Sequence, residues 1–294
     1  EWVVSGRGAE LVAKISNERK AGIYTVDIFL SGSSTMVTQL KPYGYLDQLP
    51  PSFILPEVTD TSLWYEGQHF DDKEKYIFPF LAYVFPPIFI NTDIFKAEDL
   101  KSYRDLLKPQ AKGKIILADP TTPSAALRWF AVVGGKIMGH DFSRELARQE
   151  ITILRDERLS VDWVAKGKYA IVIGVRPDPV TEYRNAGAPL KLIIPEEGTW
   201  LTGGPAVLSA INKPPHPNAT KVFINWLLSR EGQTTYSKAN NVQSARLDID
   251  TGFLDPLIVR KPGAPYFNSE NEEFLLKDPE NLELARQIFG SLLK

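Results

Sequence analysis

Apolar residues recur along this chain with two spacings. Short unbroken runs such as Ile115-Ile116-Leu117 suit buried strands, and the three-and-four spacing of Leu11, Val12 and Ile15 suits one face of a helix. On that pattern, residues 25–30 form a strand, and Ser31-Gly32-Ser33-Ser34 opens a helix that runs to Leu40. The run at 115–117 is a second such strand, stopped by Ala118-Asp119-Pro120. Thr121, Thr122 and Ser124 are helix-starting residues, Pro123 fits a first helical turn, and Ala125-Ala126-Leu127 continues as helix. A strand, a hydroxyl-rich turn and a helix therefore occur twice in succession of the same kind.

The remaining pattern fills in around these two units. Residues 2–5 read as a strand end and 9–20 as an amphipathic helix. Residues 43–60 are proline-rich irregular chain, 64–75 a polar turn, and 76–92 an uncharged extended stretch. Asn91-Thr92-Asp93 caps a short helix, and residues 103–107 form another. Gly134, Gly135 and Gly139 loosen the chain at 131–140, ahead of helices at 141–148 and 161–164. A strand at 169–175 leaves into Arg176-Pro177-Asp178-Pro179, followed by a short helix at 180–185 and a strand at 190–194. After Gly203-Gly204 comes an apolar strand at 206–208. His216-Pro217-Asn218 starts a helix with Phe223, Trp226 and Leu227 on its inner face. The last helix, 279–293, carries Leu282, Ala285, Ile288 and Phe289 as its stripe. Strands alternating with helices predict α/β architecture around a parallel sheet, whose ligand crevice lies at the carboxyl ends of the strands.

Composition narrows the chemistry. The chain is long enough, at 294 residues, for two lobes with a core each. A net charge of -2 and the lack of a basic run interleaved with aromatics exclude a nucleic-acid groove. Without cysteine there are no disulfides, thiolate metal sites or cysteine nucleophiles. The uncharged stretch at 76–92 is too short to span a membrane and holds Pro79, Pro86 and Pro87. His69, His140 and His216 have no metal-ligand spacing, and His69 with Asp71, Asp72 and Glu74 reads as a solvated acidic loop. Asn218-Ala219-Thr220 matches a glycosylation acceptor pattern but stands at a helix start, where it reads as a cap. No nucleophile elbow, Walker loop, zinc-protease motif or dinucleotide glycine pattern is present, which leaves a hydrolase of scattered Ser, His and Asp without local support. A regulator would need a DNA-binding or signalling module that the chain lacks. What remains is binding: a turn that aims backbone N–H groups and hydroxyls at one spot can hold a small anion. Arg176, leaving an apolar strand before Pro177, could add one full charge, with Asp178 beside it either as its partner or as acceptor for a ligand amine.

Four stretches also resemble a known family. They are 25–34 (Thr-Val-Asp-Ile-Phe-Leu-Ser-Gly-Ser-Ser), 112–122 (Lys-Gly-Lys-Ile-Ile-Leu-Ala-Asp-Pro-Thr-Thr), 195–204 (Pro-Glu-Glu-Gly-Thr-Trp-Leu-Thr-Gly-Gly) and 216–233. Their order is similar to that of the extracellular solute-binding proteins of ABC importers, most of all the ferric-iron-binding-like branch. The resemblance implies a two-lobed type II periplasmic-binding (Venus-flytrap) fold with mixed, mainly parallel sheets, helices on both faces and two crossover strands. It places residues 1–84 with 205–294 in one lobe and 85–204 in the other. Ligand groups carried over to this sequence are Ser31, Gly32, Ser33, Ser34, Tyr83, Thr121, Thr122, Ser124, Arg176, Asp178, Thr199 and Gly203. The function implied is a periplasmic or membrane-tethered receptor with no catalysis and no cofactor. It would trap a phosphonate, sugar phosphate or carboxylate between its lobes and pass it to a membrane permease. A monomer is expected. Iron is the alternative ligand, set second because Arg176-Pro177-Asp178 stands where the iron binders carry adjacent tyrosines, and Tyr183 stands alone. The resemblance also implies a strand and helix of roughly 30 residues ahead of the strand that ends at Ser5, which either lie upstream of Glu1 or are shortened in this member.

Overall fold

A computed structural model of the protein describes residues 8–204, 206–264, 266–267 and 269–293. The strand end expected at 2–5 lies outside the described residues. In chain order the strands are β1 (Ile28–Ser31), β2 (Leu46–Asp47), β3 (Phe78–Pro79), β4 (Tyr83–Val84), β5 (Ile88–Asn91) and β6 (Ile115–Ala118). They continue as β7 (Thr152–Leu154), β8 (Ile171–Ile173), β9 (Leu190–Ile193), β10 (Leu201–Thr202) and β11 (Val207–Ile211). The chain divides into two units. One comprises the residues up to Tyr83 with Leu201–Arg260 and Ser269–Leu276; the other comprises Val84–Trp200, Lys261–Asn268 and the residues from Lys277 onward.

In the first unit β11 is the organising strand. It pairs antiparallel with β1, β2 and β3, and all five of its residues are buried. Alternation of side chains across a strand explains why both faces are apolar. Val207 and Ile211 pack with Val12, Ile15, Met36, Val37 and Leu40. Ala206, Leu208 and Ala210 belong to a second cluster with Trp64, Phe78, Phe80, Ile224 and Leu228. Helix Gly8–Lys20 and the run Ser33–Thr35, which continues as π-helical Met36–Leu40, thus cover one face; helix Pro217–Leu228 covers the other. That last helix sits rotated from its expected inner face. Thr220, Ile224, Asn225, Leu227 and Leu228 are buried, whereas Trp226 is 44% exposed. Its start is held by Asp27, whose Oδ1 accepts from the His216 N–H (2.8 Å) and the Thr220 hydroxyl (3.1 Å), so the expected cap is supplied from outside the helix.

The second unit holds a five-stranded sheet in the order β7-β6-β8-β5-β9. β6 runs parallel to β7 and β8, and β5 runs antiparallel to β8 and β9, so the sheet is mixed. Every residue of β5, β6, β7 and β8 is buried, as expected for strands covered on both faces. Several elements differ from the sequence pattern. Asn91 makes a turn instead of a helix, its Oδ1 accepting from the Asp93 N–H while its amide donates to Val164 O. Pro123 stands outside the helix, which begins at Ala125 with Ser124 as N-cap. The loosened glycine region is a π-helical run, Phe130–Ile137. The C-terminal helix Asp278–Phe289 clusters with this unit, as do the described residues among 261–267. The Arg128 fork grips Asp278 at 3.1 and 2.7 Å, and the Phe289 ring meets Phe130 edge-on at 5.8 Å.

Candidate functional site

Parallel pairing brings the carboxyl ends of β6, β7 and β8 to one edge of the second unit, and the chemistry-bearing loops start there. After β6, the Asp119 carboxylate organises the turn. Its Oδ1 accepts from the Thr121 N–H (2.8 Å) and the Thr121 hydroxyl (2.6 Å). The Ser124 hydroxyl donates to Asp119 O (2.8 Å) and accepts from the Leu127 N–H (3.1 Å). Thr122 is half-buried beside them. Asp119 Oδ2 is buried and accepts no hydrogen bond among the described residues; the Arg155 Nε lies 3.5 Å away. After β7, Asp156 caps helix Glu157–Ala165 through the Leu159 N–H (3.0 Å). After β8, Gly174 turns with φ of 74°, and a Cβ there would lie 2.9 Å from the Ala126 Cα. Only glycine lets the β8 exit press so closely on the helix that starts at Ala125. Arg176 follows, half exposed, its Nε and backbone N–H both 3.2 Å from Glu157 Oε2 and its Nη2 3.8 Å from Asp178. Helix Pro177–Asn185 begins directly after it.

The first unit gathers a second group of residues. Gly32 is extended and stands as N-cap of the Ser33 helix start with no side-chain cap. Ser33 is buried and its hydroxyl donates to Asp71, while Ser34 is half-buried with its carbonyl accepting from Thr38 Oγ1 (2.6 Å). A Cβ on Gly32 would lie 3.6 Å from Gly204 O, and one on Gly204 would lie 2.6 Å from the Tyr83 hydroxyl. Gly32, Gly204 and Tyr83 therefore converge, with Ser31 at the end of β1 next to them. The Gly204 N–H donates to Thr202 Oγ1 (2.9 Å), and that hydroxyl donates to Glu270 (3.0 Å).

Of the expected ligand groups, Ser31, Gly32, Ser33, Ser34 and Tyr83 thus meet in the first unit, and Thr121, Thr122, Ser124, Arg176 and Asp178 at one edge of the second. Thr199 and Gly203 lie in closely packed surroundings. Thr199 is buried with its hydroxyl donating to Phe85 O (2.9 Å), and a Cβ on Gly203 would meet Pro79 at 3.0 Å. The supposed solvated acidic loop is also different: Asp71 and Asp72 are buried. Asp72 accepts from the Tyr76 and Ile77 N–H groups and pairs with Lys41 (3.2 Å); burial raises its pKa while Lys41 opposes that rise. Asp71, Asp119, Thr202 and Glu270 were not among the expected site residues. Asp119 had a visible signal, since Asp two residues before Thr is an Asx-turn pairing; Asp71 and Glu270 reach their partners only through tertiary contacts. Among the described residues no group of three or more His, Cys, Asp or Glu is placed to hold a metal.

The profile of the bacterial extracellular solute-binding protein family matches residues 2–265. The chain belongs to that family. An uncharacterised protein of Haemophilus influenzae (strain Rd) is 34% identical over 144 residues, which span 45% of this chain and only 38% of that relative's length. Among solved structures the chain is similar to the periplasmic binding protein AfuA of Actinobacillus pleuropneumoniae with fructose-6-phosphate bound. The TM-score is 0.71 at 18% identity, covering 98% of this chain and 89% of that one. Trichodesmium IdiA (FutA), in complex with iron and citrate, gives 0.71 at 17% identity over 97% and 89%. Iron-bound HitA of Pseudomonas aeruginosa gives 0.70 at 18% over 96% and 88%. The fold is therefore the type II periplasmic-binding fold. The family and these neighbours are binding proteins, so the hydrolase alternative has no support. No helix among the described residues is long and apolar enough to cross a membrane.

Proposed function

We propose that this family member is the receptor of an ABC importer, working in the periplasm or tethered outside the cytoplasmic membrane. Its solute is a small oxyanion, a phosphonate, sugar phosphate or carboxylate, which it passes to a membrane permease. The observation that supports this reading is the Gly32 helix start, which lacks a side-chain cap and lies close to Gly204, itself packed on the Tyr83 hydroxyl. Backbone N–H groups at such a start favour an anion by roughly 0.3–1 kcal/mol at an exposed position and up to about 2 kcal/mol when partly buried. In the second unit Arg176 offers a full positive charge, half exposed and flanked by Glu157 and Asp178, that an anion could compete for.

Iron is the weaker reading on physical grounds. The Tyr183 hydroxyl donates to Asp162 (2.9 Å), and burial followed by that bond raises its pKa, which opposes the tyrosinate a ferric site needs. Native mass spectrometry of the purified protein tests the proposal by weighing what copurifies. An anionic organic solute is expected. A colourless apo protein that takes up ferric salt with an intense visible band would overturn it.

A further inference from the structure

Proton accounting at these turns narrows the solute further, within the reading just proposed. A hydroxyl has one proton to donate and two lone pairs to accept with. In the second unit, Thr121 donates its proton to Asp119 Oδ1 and Ser124 donates to Asp119 O. In the first unit, Ser33 donates to Asp71 and Thr202 donates to Glu270. These four hydroxyls are the groups that would ordinarily donate to an oxyanion, and each has its proton committed inside the protein. What they offer a ligand is lone pairs. The carboxylates that hold them accept as well, since an ionised carboxylate takes about four hydrogen bonds in all.

The acceptors form connected structure in both places. In the first unit, the Glu272 N–H donates to Asp71 O (2.7 Å), so the segment carrying Glu270 lies on the backbone of the residue that holds Ser33. Gly204 O lies close to Gly32, and the Gly204 N–H donates to Thr202, whose hydroxyl donates to Glu270. In the second unit the decisive atom is Asp119 Oδ2. It is on a residue 5% exposed, accepts no hydrogen bond among the described residues, and stands at the carboxyl edge of the parallel strands. Buried polar atoms are ordinarily hydrogen-bonded, so an acceptor left over at a ligand-binding edge points to a donor that arrives with the ligand. Arg155 at 3.5 Å tempers its charge without donating to it. Beside Asp119 a bare dianion would meet a buried carboxylate whose neighbouring Thr121 and Ser124 hydroxyls have already donated their protons, whereas a ligand that brings O–H groups would match.

We propose that the solute is a polyhydroxylated oxyanion, an anionic head on a chain or ring of hydroxyls, and that Asp119 reads one of those hydroxyls. The anionic head then belongs with Arg176 and the hydroxyl with Asp119, both at the carboxyl edge of the parallel strands of the second unit.

Calorimetric titration of the full chain tests this with paired probes: glucose 6-phosphate against inorganic phosphate and methylphosphonate, and gluconate against acetate. The hydroxylated member of at least one pair should bind about 10- to 100-fold tighter, as expected for hydrogen bonds to charged acceptors. The winning pair shows whether the head is phosphate or carboxylate. Asp119→Asn keeps an oxygen for Thr121 and puts an amide donor where Oδ2 was. It should weaken the hydroxylated probe at least about 10-fold and strengthen the plain anions, because an acceptor and a negative charge go together. Plain anions that bind as tightly as the hydroxylated probes would overturn the inference while leaving an oxyanion receptor standing. Equal weakening of both kinds by Asp119→Asn would also overturn it. If the Asn variant fails to fold, Asp119→Glu, which keeps the charge but moves the carboxylate, gives the same reading, with the hydroxylated probe again losing selectively. Binding of none of these probes, with ferric salt bound instead, would remove the proposed function and this inference with it.

Discussion

Single residues decide how closely these turns can be built. Gly204 has φ of 58° and a would-be Cβ at 2.6 Å from the Tyr83 hydroxyl, so two separate penalties fall on any side chain there. Left-handed backbone alone costs an alanine roughly 1–2 kcal/mol, and the clash adds to it. Gly204→Ala should therefore lower thermal stability measurably, and adding Tyr83→Phe should recover the steric share but not the backbone share. A variant as stable as the parent would show that the Gly204 backbone moves freely away from Tyr83. Arg176→Ala works on binding instead. Its side chain is half exposed and paired with Glu157, so apo stability should hardly change. Affinity for the copurifying anion should fall by about 1.5–3 kcal/mol, the range for hydrogen bonds to a charged group. Unchanged affinity in calorimetry would place this arginine outside the site. Both residues lie in stretches whose composition already marked them, Arg176 by following an apolar strand and Gly204 by its glycine pair. Asp71 had no such mark: its polar neighbours resemble a solvated loop, and only the fold carries it to Ser33.

Elements were legible where periodicity was strong and illegible where a single polar partner set the boundary. β6 and β11 are where their apolar runs lie. The helix after β6 starts two residues later than its Thr-Thr-Pro-Ser sequence suggests, because Asp119 captures Thr121 in a turn first. The chain after helix Arg230–Asn240 shows the same effect on a larger scale. Arg246 is 2% exposed and its guanidinium meets Asp248 through two bonds of 2.9 and 2.8 Å, donates to Glu57 O and Leu228 O, and lies 3.3 Å from the Glu57 carboxylate. One charged side chain thereby ties three segments together, and no periodicity announces it. Arg246 hydrogen bonds hold the Asp248 carboxyl below its ordinary pKa. A depressed carboxylate binds protons less readily folded than unfolded, so its contribution is present above about pH 3.9 and is lost as pH falls through the folded value. Asp248→Asn should cost about 1.5–3 kcal/mol at neutral pH. The gap to the parent should close at acid pH, once the pH has fallen through the lowered folded value and the parent's carboxylate is protonated too. Urea melts at the two pH values give the answer; a gap of constant size would mean that packing, not charge, holds this loop.

At the scale of the molecule, the division of the chain follows contacts and not sequence order. The resemblance assigns everything beyond residue 205 to the first lobe. The structure puts helix Asp278–Phe289 with the second unit through the Arg128–Asp278 fork and the Phe289–Phe130 ring contact. Phe289 is fully buried, and deletion of a buried phenylalanine side chain costs about 3–5 kcal/mol, the transfer of the ring plus the cavity it leaves. Phe289→Ala should therefore destabilise the second unit by that amount. The first unit keeps its own two apolar clusters, on opposite faces of β11, neither of which contains Phe289. Hydrogen exchange of the variant should consequently show faster opening at β6, β8 and the Phe130–Ile137 run, with protection at β1 and β11 retained. The same distribution explains why a helix near the C-terminus can matter to Asp119, since Arg286 on this helix donates to Thr121 O at 3.3 Å, in the turn Asp119 organises. Loss of the Phe289 anchor should thus weaken binding of the hydroxylated probe even though no binding residue was altered. Equal acceleration of exchange in both units would show that the last helix stabilises the whole chain, and that the two cores do not open separately.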